Sequence, residues 1–145
     1  MSKWLPDGKY LVYGVAGYRE VAPNGCPNLM LKIGLTASTN PLTRIRYRGS
    51  DEPYPITDAF PKVSNIDYVI CSCKEEAKWL EETILDVLRE PGRPFHDRAI
   101  WNEPVNKIGA ILCGITEMCP WSEDKCCLFL SLLQAYIEGR LVWKQ

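Results

Sequence analysis

Histidine is nearly absent from this chain: His96 is the only one in 145 residues. No pair of C-x-x-C knuckles is present either, so a structural zinc site is only weakly signalled. No apolar run approaches the length of a membrane span, and Met1-Ser2-Lys3-Trp4-Leu5-Pro6 lacks a signal-peptide core. Charge of either sign is also short in excess. The formal net charge is −1, so nothing in bulk attracts a polyanion and any nucleic-acid contact must come from a local patch. Tandem repeats and low-complexity tracts are missing.

Cysteine, by contrast, is plentiful. Seven occur, among them Cys71-x-Cys73, Cys119 and the pair Cys126-Cys127. Without a secretion signal they read as cytosolic thiols serving mainly as small core residues. The length suits one domain over 1–145, cytoplasmic and without a membrane partner.

The most informative stretch runs from Ser72 to Leu88. Its apolar residues Ala77, Leu80, Ile84, Leu85 and Leu88 recur at the spacing of a core-facing helical stripe. Ser72 is the expected N-cap, with Glu75 closing a capping box and Arg89 at the far end. Glu81 intrudes on the stripe, whereas Glu82 and Asp86 point outward. A carboxylate on a buried face needs a cation, a metal ion or a wet cleft. The bland alternative is a rim glutamate whose stem packs while its head reaches solvent or an arginine.

Around that helix the chain reads as α+β with an antiparallel hairpin first. Residues 9–17 form a strand apolar on both faces, as expected in the middle of a covered sheet. A long hairpin loop spans 18–28, and a second strand spans 29–35. Gly34 within it implies a bulge or a close approach by another group. Asn40 as N-cap, Pro41 and Gly49 delimit a short helix carrying Arg44, Arg46 and Arg48, the densest positive cluster in the chain. An extended loop over 50–64 and a third strand over 65–71 lead into the Glu81 helix. Residues 107–114 read as a last strand or a buried turn of helix, with the strand preferred. Glu123 to Glu138 closes the chain as a helix with Leu128, Leu132, Ala135 and Tyr136 along one face.

The order of a tyrosine, a lysine with a glycine, an arginine and a glutamate on successive elements resembles the GIY-YIG nuclease superfamily. Leu11-Val12-Tyr13 stands where that family has G-I-Y, and Lys32-Ile33-Gly34 where it has Y-I-G. With Leu35-Thr36 the second motif resembles the K-I-G-x-T of a phage-type branch. Asn40-Pro41-Leu42-Thr43-Arg44-Ile45-Arg46 is similar to an N-x-x-x-R-[VI]-R segment of bacterial excision-repair nuclease subunits. Glu76-Ala77-x-x-Leu80-Glu81 is similar to their E-A-x-x-L-E helix. The family's terminal asparagine has its nearest counterpart in Trp101-Asn102, beyond a proline-rich insertion.

The resemblance implies a three-stranded antiparallel sheet flanked by helices, with a core at about 9–102 and a C-terminal helical extension at about 103–145. It also implies a metal-dependent endonuclease hydrolysing phosphodiester bonds, with DNA as the expected substrate and Mg²⁺ (or Mn²⁺) as cofactor. Tyr13 would orient or deprotonate the attacking water, and Lys32 would take the place of the second tyrosine. Arg44 would hold the scissile phosphate, and Glu81 would bind the cation. Asn102 would complete the set, while Arg46 and Arg48 would join Arg44 in contacting nucleic acid. An arginine fork suits phosphate, and one carboxylate with waters and substrate is an ordinary Mg²⁺ site. A free tyrosine hydroxyl titrates near pH 10, so a base role for Tyr13 needs help from Lys32 or the metal.

Each residue also has a plainer interpretation. Tyr13 reads equally as a core tyrosine, Lys32 as an edge-strand solubiliser, Arg44 as a solvated charge or the ion-pair partner of Glu81, and His96 as a surface group. Taken together these readings describe a catalytically inactive module that keeps the fold and binds nucleic acid, a nucleotide or a partner protein. Trp79, off the core stripe, would then be an anchor. A third possibility builds a redox or zinc function on Cys119, Cys126 and Cys127.

Overall fold

A computed structural model of the protein describes residues 3–22, 25–42, 59–96 and 117–144. Within them the order is β1 (Tyr10–Tyr18), β2 (Leu29–Thr36), β3 (Lys62–Cys71), α1 (Lys74–Leu88), β4 (Met118–Pro120) and α2 (Glu123–Ile137). The four strands form one antiparallel sheet in the order β3-β1-β2-β4. The class is α+β. The sheet has four strands where three were expected, because β4 from the C-terminal extension adds to the free side of β2.

β1 is central, as its two apolar faces predict. Val12 joins Leu31, Ile33, Val69 and Cys71 in a cluster covered by Ala77, Leu80, Ile84 and Leu88 of α1 and by Phe129 and Leu133 of α2. On the other face Tyr13, Val15, Met30, Phe60 and Met118 make a second cluster, flanked by Leu42, Ala59 and Val63. Fully buried aliphatic side chains contribute roughly 1.5–3 kcal/mol each, so the α1 stripe alone anchors its helix firmly. A glycine permits each aromatic contact with the sheet. A Cβ on Gly14 would lie 2.5 Å from Phe129 Cε2, and one on Gly34 would lie 2.6 Å from Tyr13 Cζ. The expected close approach at Gly34 is therefore the Tyr13 ring, and the sheet's irregularity sits elsewhere, between β1 and β3 at Gly14/Val15.

Several local expectations need correction. Cys73, not Ser72, is the N-cap of α1, and it makes no side-chain cap bond. The Glu76 carboxylate, one position later than expected, accepts from the Ser72 amide at 3.0 Å and its hydroxyl at 2.8 Å. β3 starts at Lys62, so the loop proposed over 50–64 ends earlier. In α2 the buried residues are Phe129 and Leu133, while Leu128 is exposed. The helix is apolar most of the way round, so the choice of stripe belongs to packing. Trp79 lies half-buried against the main cluster rather than standing free as an anchor. Tyr136 hydrogen-bonds both Cys71 and Glu76, tying α2 to the start of α1.

Asn40 does cap the turn that begins at Pro41, its Oδ1 accepting from the Leu42 amide at 3.0 Å. The rest of that helix, Arg44, Arg46 and Arg48, the strand expected at 107–114 and Asn102 lie outside the described residues. The hairpin loop after β1 is held by Arg19, which is buried over the Phe60 ring at 4.2 Å. It donates from Nε and Nη2 to the Pro27 carbonyl. No helix among the described residues is long and apolar enough to cross a membrane.

Candidate active site around Lys32 and Glu81

The β1–β2 register sets Tyr13 opposite Gly34 and Val15 opposite Lys32; the β2–β4 register sets Lys32 opposite Met118. Paired residues share a face, so Tyr13 and Lys32 are diagonal neighbours, whose Cβ atoms in such sheets lie roughly 7–8 Å apart. Both are buried: Tyr13 is 0% and Lys32 6% exposed. Lys32 therefore stands on an interior strand and does not solubilise an edge. Its Nζ donates to the Ile33 carbonyl at 3.2 Å and forms an ion pair with Glu117 Oε2 at 3.3 Å.

Glu81 keeps the half-buried place on α1 that its position in the stripe predicts. Burial pushes its carboxyl up from an ordinary 4.5 to about 7. The Lys32 ammonium pulls the value down, Glu117 and Glu82 push it further up, and Lys78 opposes them. Lys32 and Glu117 form an ion pair whose charges both act on Glu81, although β2 presents Lys32 on the Tyr13 face and α1 covers the opposite one. Glu117 was missed in the sequence. It sits 85 positions from Lys32 in a stretch without periodicity, and only the β2–β4 register brings them together.

His96 is half-buried, with Nδ1 3.3 Å from the Met118 carbonyl, a contact that in the Nδ1–H tautomer braces β4. The described cysteines are free thiols, and burial raises Cys71 and Cys119 to about 11, keeping both protonated. Such protonated thiols are poor nucleophiles. No group of three or more His, Cys, Asp or Glu is gathered among the described residues. A Mg²⁺ site does not require one, since that ion retains waters and binds through one or two carboxylates and substrate phosphate. A half-buried carboxylate that resists ionisation would be favoured by a divalent cation, and on that ground Glu81 fits the role.

Comparison of the chain with family models, with curated proteins and with solved structures yields no match.

Proposed function

We propose that the protein is a metal-dependent endonuclease of the GIY-YIG type, acting on phosphodiester bonds of DNA. The observation that carries this reading is Glu81: a carboxylate half-buried on α1, raised to about 7 by desolvation, within the field of the buried Lys32 ammonium. The β3-β1-β2 antiparallel core, with Tyr13 on its central strand packed against Gly34, supports the family reading. Free thiols accord with the cytoplasm.

Glu81 would hold one Mg²⁺ or Mn²⁺, which when bound neutralises charge developing on the phosphate and leaving oxygen. The protein's own groups do the rest. The Tyr13 hydroxyl orients the attacking water or, once ionised to the phenolate, takes up its proton. Lys32, a fixed positive charge on the adjacent diagonal, favours the ionised form of that hydroxyl. Arg44 grips the scissile phosphate as a fork, with Arg46 and Arg48 on neighbouring phosphates and Asn102 completing the site.

The complete burial of Tyr13 favours a second reading, in which the ring is core and the module binds without cutting. A cleavage assay separates the two. Supercoiled plasmid, linear duplex, single-stranded DNA and RNA are incubated with Mg²⁺, Mn²⁺ or EDTA, wild type beside Glu81→Ala. Metal-dependent nicking that disappears in the folded variant is expected. Failure of the folded wild type to cut any substrate would refute the nuclease and leave the binding module.

A further inference from the structure

We propose that the cleft at the Tyr18 end of the sheet holds an unpaired nucleotide of a single strand, with its base against Tyr18 and Trp121 and its phosphate at Lys62. The site goes beyond the nuclease reading, because it lies on the face of the sheet opposite Tyr13 and Lys32. It rests on that reading for nucleic acid as the ligand class, and on the cleft's own chemistry for the unpaired base.

The strand registers build the site. Tyr18 pairs with Lys62 of β3 on one side and with Leu29 of β2 on the other. The Trp121 amide donates to the Leu29 carbonyl at 3.2 Å, one step past the Met30–Pro120 pair, so the row continues just beyond β4. Opposed residues in an antiparallel sheet share a face. Lys62, Tyr18, Leu29 and Trp121 therefore form one row across the sheet: a cation, an aromatic, an aliphatic and an aromatic. Alternation puts that row on the helix side, and Trp121 packs against the cluster under α1 and α2. The next row inward contains Ser64 opposite Ala16, two small residues that leave depth beside the rings.

These residues line a cleft of about 660 Å³, a volume ordinary for a ligand site. Tyr18 and Leu29 are 40% and 44% exposed, so the row offers apolar faces to solvent. Trp121 is held ready, its indole N–H donating to Cys126 of α2. Neighbouring strands stand roughly 4.8 Å apart, which sets the backbones of Tyr18 and Trp121 about 10 Å from each other, with Leu29 between them. A flat base over Leu29 is within reach of both rings. At one end of the row the Lys62 ammonium lies 5.8 Å from the centre of the Tyr18 ring. The described residues lining the cleft include no carboxylate, whereas Glu123 and Asp124 follow Trp121 at the other end. A ligand with one flat and one anionic part is thereby oriented, its charge towards Lys62. Stacking on aromatic side chains needs an exposed base face, which a single strand offers and a duplex hides.

The test uses full-length protein in EDTA, which keeps metal-dependent cleavage out of the measurement. Fluorescence anisotropy follows a labelled thymidine oligonucleotide and a duplex of equal length. Tyr18→Ala should weaken strand binding about tenfold or more and leave duplex binding within about twofold, while Tyr18→Phe keeps wild-type affinity. Lys62→Met should weaken strand binding and reduce its salt slope by about 0.7. Tyr68→Ala, at an exposed tyrosine on the Tyr13 face, should change neither. Photo-crosslinking of a 5-iodouracil strand, read by peptide mass spectrometry, should mark Tyr18 or Trp121.

Wild-type affinity in Tyr18→Ala, equal loss of strand and duplex binding, or crosslinks confined to other residues would overturn the proposal. So would thymidine monophosphate competing as well as the strand, since a free nucleotide would then be the occupant. If Tyr18→Ala does not fold, the crosslink in wild type decides, at Tyr18 or Trp121 in favour and elsewhere against. A protein that binds the strand through Tyr18 yet cuts nothing with Mg²⁺ would sink the nuclease reading and leave this site standing. One that cuts, with strand binding indifferent to Tyr18→Ala, would do the reverse.

Discussion

Replacing Glu81 by glutamine keeps the side chain's shape and removes its titration. In the folded protein the Glu81 carboxyl stands at about 7 against an ordinary 4.5, with burial as the main cause. At about 1.4 kcal/mol per pKa unit, ionising it costs the folded state about 3 kcal/mol relative to the unfolded chain. The sign follows from proton binding: between pH 4.5 and about 7 the folded state holds the proton that the unfolded state has released. Wild-type stability contributed by this group is therefore fully present below the lower value and lost as pH rises through the upper one. Glu81→Gln should match wild type at pH 4, pull ahead through the interval, and be more stable by up to about 3 kcal/mol at pH 8. For a chain of this length that is roughly 10 °C in melting temperature. Thermal melts of both proteins from pH 4 to pH 9, without divalent ions, measure the gap directly. Saturating Mg²⁺ should narrow it at pH 8, since only the wild type gains from the ion. A constant gap across pH, or a glutamine variant less stable at pH 8, would refute the account of Glu81 as a desolvated carboxylate.

Two further substitutions test the packing that positions the site. Gly34→Ala would force a Cβ to 2.6 Å from Tyr13 Cζ, and closer still to its hydroxyl, in a fully buried setting. Overpacking of this kind costs about 1–3 kcal/mol, or roughly 3–10 °C in a melt, and an unchanged melting temperature would mean that the ring has room to move. Ser122 caps α2 by accepting from the Lys125 amide at 3.2 Å. Ser122→Ala should cost about 1 kcal/mol in chemical denaturation, with Ser122→Gly milder, and equal losses would argue against the cap.

The legible parts of this molecule were those carried by local pattern. The α1 stripe, the intrusion of Glu81 on it and the two apolar faces of β1 are short-range periodicities, and the folded chain keeps them. The capping box slipped by one residue because Cys73 is the extended cap residue and Glu76, at the third helical position, reaches back to Ser72. The stripe of α2 was read only in part: Leu132 and Tyr136 pack against the cluster, but the buried centre is Phe129 and Leu133, a choice set by neighbours such as Gly14 and the space it gives Phe129. β4 has three residues, too few for any period, so the fourth strand and Glu117 stayed hidden. Lys32 was singled out as a break in an apolar run, but its burial depends on that unseen strand.

The position of β4 also has a consequence in time. Strand β2 receives its outer backbone partners at Met30, Leu31 and Lys32 only from residues 118–120, roughly ninety positions later. At about 5–20 residues per second, a nascent chain spends several seconds with the β1–β2 hairpin made and that side of β2 still open. An open strand edge is a template for unwanted pairing with neighbouring chains, and a lysine pointing from it is a recognised guard. A β2 strand not yet joined by β4 thus carries Lys32 as a charge along its open side. Once β4 docks, the same ammonium is enclosed against Glu117, and the guard becomes part of the interior.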